Sequence, residues 1–154
     1  MHAGDPRRLL TNVEGYLGHM KVDTVLKEVW LPRELLSDQL PGSDGGQGEL
    51  SHTICKGYKN YGSVFDWLRK KGVRKIINLI VEDNERLPHS DAAIIAALEG
   101  IEVETWDWKQ DDLCSDTIVS AARDAQTVFL YSSGKKAVLQ SWCSNKGLNR
   151  LPKV

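Results

Sequence analysis

The sequence predicts an α/β domain: a small open three-layer αβα unit with a mainly parallel sheet, preceded by an irregular or partly helical N-terminal segment. Three observations predict it. Apolar, β-branched runs alternate with helix-periodic segments from residue 63 onward. Serine stands before these helical segments and glycine after them, at Ser63 and Gly72 and again at Ser90 and Gly100. The run Lys75-Ile76-Ile77-Asn78-Leu79-Ile80-Val81 is almost continuously apolar, as expected of a strand covered on both faces.

Each element follows from a local pattern. Arg7 to Leu17 reads as a helix candidate, and Val22 to Leu31 as an extended or helical stretch stopped by Pro32. Pro41 to Gly48 holds four of the chain's 13 glycines and reads as a flexible linker. That places a boundary after residue 48, with an α/β domain over 49–154. Ser63 is an N-cap candidate for Val64 to Lys71, whose last turn carries cations that suit the negative end of a helix dipole. After the first strand, Glu82 to His89 is a polar loop, and Ser90 caps an alanine-rich helix from Asp91 to Glu99. Ile101 to Trp106 alternates as a second strand, and Ser115 caps a helix over Asp116 to Arg123. Thr127 to Tyr131 is a third strand and Lys135 to Trp142 a last helix. Right-handed crossovers between such strands make the sheet parallel. Three strands leave a poorly covered edge, so the chain either continues beyond Val154 or borrows a strand from its N-terminal part.

Composition excludes several partners. The 20 basic and 21 acidic residues cancel, which leaves no electrostatic footprint for nucleic acid or an anionic membrane. No apolar run approaches the roughly 20 residues that span a bilayer. The start of the chain, Met1 to Leu10, lacks the apolar core and small-residue site of a secretory signal. Cys55, Cys114 and Cys143 are odd in number and widely spaced, which suits neither a disulfide framework nor a zinc site. Free thiols point to the reducing cytosol or nucleus, and a cytoplasmic setting is expected.

Several phrases occur together: Val64-Phe65-Asp66-Trp67-Leu68-Arg69, Ile76 to Asp83, Pro88-His89-Ser90-Asp91, Trp106-Asp107-Trp108, Asp111 to Ser115 and Phe129 to Gly134. With Val29-Trp30-Leu31-Pro32, they resemble a region upstream of the peptidase domain in fungal intracellular subtilisin-like proteins. The resemblance covers residues 63–154 and implies an accessory or regulatory module. Catalysis in such proteins belongs to a downstream subtilase domain with an Asp-His-Ser triad. The phrases Asp-Thr-Gly, His-Gly-Thr and Gly-Thr-Ser do not occur in these 154 residues. The chain also departs from the family pattern at Ser132-Ser133-Gly134-Lys135-Lys136, where Trp-Ser-Gly and neutral residues are expected. The partner implied is a protein, or the downstream peptidase domain itself.

In a parallel sheet, functional groups gather beyond the carboxyl ends of the strands. Those ends bring Glu82, Asp83 and His89, then Asp107 and Trp108, then Ser133 and Lys135 to one rim. The rim is read as a small-molecule or phosphate site, as a small hydrolase, or as polar loops that only cap helices and face water. No catalytic residue, metal ligand or cofactor follows from it. Tyr131-Ser132-Ser133-Gly134 lacks the first glycine of a nucleophile elbow. Phe129 stands where a phosphate loop needs glycine. Trp106 and Trp108 lie on one side of an extended chain, and Trp108 is the candidate for an exposed docking residue.

Overall fold

The computed structural model describes residues 15, 17–33, 59–85 and 87–151. Strand β1 (Val25–Leu31) leads to α1 (Lys59–Lys70), β2 (Lys75–Glu82), α2 (Asp91–Leu98) and β3 (Glu102–Lys109). Then come α3 (Ser115–Ala121), β4 (Thr127–Val128), α4 (Lys136–Cys143) and a 3-10 turn over Leu148–Arg150. The strands form one sheet in the order β1-β2-β3-β4, with every pairing parallel. The α/β class and the parallel sheet are those the sequence predicts.

Of the two ways expected to complete the sheet, the second is found. The sheet borrows β1 from the N-terminal part: Val25 to Leu31 pair with Lys75 to Val81. A boundary after residue 48 therefore does not separate the sheet from what precedes it. The proposed glycine linker, 41–48, lies outside the described residues, as does most of the helix proposed over Arg7 to Leu17. The helices also differ from the expected arrangement. Strand order follows chain order, so every right-handed crossover steps in the same direction and its helix falls on the same face. Accordingly α1 packs on α2 and α2 on α3. Among the described residues these three helices make one layer rather than two.

Register divides the sheet into two faces. Val29, Leu31, Leu79, Val81, Trp106 and Trp108 share one face, because Leu79 lies opposite Val29 and Trp106, and Val81 opposite Leu31 and Trp108. Tyr61 of α1 meets Trp108 edge-on, which puts that helix over this face. Trp106 and Trp108 stack with ring centroids 6.3 Å apart, and both are fully buried. Burying side chains of this size stabilises the fold by about 1.5–3 kcal/mol each. Over the same stretch the opposite face carries Glu28 and Trp30 of β1, Asn78, Ile80 and Glu82 of β2, and Thr105, Asp107 and Lys109 of β3. Trp30 is 58% exposed there.

The helix ends follow their residues. Gly72 and Gly100 take φ of +88° and +76°, conformations that L side chains resist, and α1 and α2 stop just before them. Ser90 caps α2 as expected, its Oγ accepting from Ala93 N at 3.3 Å. Ser63 instead lies inside α1, which starts four residues earlier at Lys59. Cys114, not Ser115, occupies the N-cap of α3. Strand β4 is only two residues long; beyond Val128 the chain leaves the ladder, and Tyr131 forms an isolated parallel bridge with Asp111 in the loop after β3.

Candidate functional site at the carboxyl ends of the strands

The rim splits into three separate groupings. The first is buried. Asp83 follows β2 and is 1% exposed, beside His89 and Trp108. His89 Nδ1 lies 2.7 Å from Asp83 Oδ1, and Trp108 Nε1 donates to Oδ2 at 2.8 Å. The backbone N–H of Asn84 donates at 2.7 Å, and that of His89 reaches both carboxylate oxygens at 3.2 and 3.3 Å. Burial pushes the Asp83 pKa up, but the His89, Trp108 and Asn84 donors outweigh it and hold the carboxyl below its ordinary value. An ionised carboxylate accepts only, so Nδ1 of His89 carries the proton between them. The Tyr61 ring stacks on the imidazole at 4.7 Å, and its hydroxyl donates to the Glu82 carbonyl at 3.1 Å. Burial, with the charge of Asp83, pushes the Tyr61 hydroxyl well above the usual phenol range. This grouping ties the loop after β2 back onto the sheet.

The second grouping joins the loops after β3 and β4. Asp112 adopts φ +58°, a conformation Asp tolerates better than most residues. Its Oδ2 accepts from Ser133 Oγ at 2.5 Å and from Lys135 Nζ at 2.9 Å. Its Oδ1 accepts from Ser133 N at 3.0 Å. Ser133 and Lys135 hold the Asp112 carboxyl far below the carboxylate range. Ser133 therefore bonds to Asp112, while the His89 imidazole pairs with Asp83.

The third grouping lies on the opposite sheet face. Lys109 Nζ pairs with Glu82 Oε1 at 3.2 Å, and it is Lys109 foremost that holds that carboxyl below its ordinary value. The Tyr131 hydroxyl donates to Asp107 Oδ1 at 2.7 Å, and burial together with this carboxylate pushes its pKa up to about 12. Glu82 and Asp107 thus face away from Asp83, and the three carboxylates do not converge. Among the described residues no group of three His, Cys, Asp or Glu side chains is placed to hold a metal ion.

Sequence reasoning placed Glu82, Asp83, His89, Asp107, Ser133 and Lys135 on one rim. The structure brings Asp83 to His89 and Ser133 to Lys135 but does not merge these pairs. Trp108 is a correction: it is 0% exposed, shut between the sheet and Tyr61, and presents no docking surface. The exposed indole is Trp30, with Phe129 48% exposed beyond β4. Asp112, Tyr61 and Tyr131 were also missed. Asp112 was findable, since loops after adjacent parallel strands meet and Asp111-Asp112 faces Ser132-Ser133 in that way.

A shallow cleft of about 190 Å³ lies between the loop before α3 and helix α4, lined by Leu113, Cys114, Ala137, Val138 and Trp142 with Asp112 and Ser141. It is smaller than typical ligand pockets, and none of the six rim residues lines it. No described helix is long and apolar enough to cross a membrane. Fold and site define a parallel α/β domain whose polar rim is largely bonded to itself. Comparison with family models, curated proteins and solved structures gives no match to this chain.

Proposed function

We propose that this chain is a non-catalytic accessory domain of the kind found upstream of the peptidase in fungal intracellular subtilisin-like proteins. Its role is to bind protein, the partner being such a peptidase domain. The observation that carries this reading is the contrast between two surfaces. The acid, imidazole, hydroxyl and ammonium groups of the rim are spent on closing loops. On the other face, the largest aromatic ring of the sheet edge, Trp30, stands 58% exposed. Interfaces are enriched in aromatic residues.

The test is binding of a purified subtilisin-like peptidase domain, followed by calorimetry. The wild-type chain binds, and Trp30→Asp binds at least tenfold more weakly with an unchanged melting temperature. Absence of binding by the wild type would contradict the proposal. A serine-hydrolase probe provides a second arm: labelling of the wild type that disappears in Ser133→Ala would contradict the non-catalytic half.

A further inference from the structure

We draw no further inference here: the strongest candidate, the apolar cleft between the loop before α3 and helix α4, lined in part by the exposed Cys114, carries none, because nothing in the structure shows what covers it.

Discussion

At position 83 a carboxylate sits in the core and stays ionised because imidazole, indole and backbone N–H groups all point at it. Removing a charge from such a nest leaves buried donors without their acceptor. Asp83→Asn is therefore expected to cost about 2–4 kcal/mol in urea denaturation at neutral pH. The pH dependence has a definite sign. The folded pKa of Asp83 lies below its ordinary value, and the unfolded chain titrates near 3.9. The stabilisation is thus complete above about pH 4 and is lost as pH falls through the folded pKa. Melts from pH 7 to pH 2 check this: the variant should lose less stability across the acid range than the wild type. Pro88-His89-Ser90 signalled a loop anchor in the sequence, and the imidazole does anchor. Its acceptor was legible only as one of several nearby acids, because sequence does not tell which carboxylate turns inward. Trp108 failed for a related reason. Alternation placed it beside Trp106 but did not reveal which face the helices cover.

Among elements, α2 depends on its neighbour. It has no basic residue in its last turn, and Arg69 of α1 supplies the missing cation. Its Nη1 donates to the carbonyls of Ala96 at 3.2 Å, Ala97 at 2.8 Å and Glu99 at 3.0 Å. Arg69→Ala is expected to destabilise the chain by about 1–2 kcal/mol, visible as faster amide exchange at the end of α2. The far end of the chain is pinned differently. Trp142 Nε1 donates to Leu113 O at 2.8 Å, and Gly147 packs so closely that an added Cβ would lie 2.2 Å from the Ser141 carbonyl. Gly147→Ala must shift that turn, at a cost of about 1–3 kcal/mol in thermal melts. Helices α1, α2 and α4 and strand β2 were legible because each has a strong local period or cap. Strand β1 was not, since Val25-Leu26-Lys27-Glu28-Val29-Trp30-Leu31 fits a helical period as well as an extended one. Its identity is fixed by pairing with β2, some 50 residues later, and such long-range contacts leave no mark on local sequence.

For the whole molecule, the consequence of topology is an unequal pair of faces. Strand order that follows chain order sends every connecting helix to the Trp108 side. The other side keeps Trp30 open. Binding and stability should then separate. Substitutions at Trp30 are expected to leave the melting temperature within about 2 °C, as exposed positions usually do, while those at Asp83 or Gly147 lower it without a specific effect on partner affinity. The most direct measurement follows the indole N–H signals of the five tryptophans in a ¹⁵N-labelled chain as a subtilisin-like peptidase domain is added. The account predicts that the Trp30 signal moves and the Trp106 and Trp108 signals stay. A moving Trp108 signal with Trp30 unchanged would contradict it.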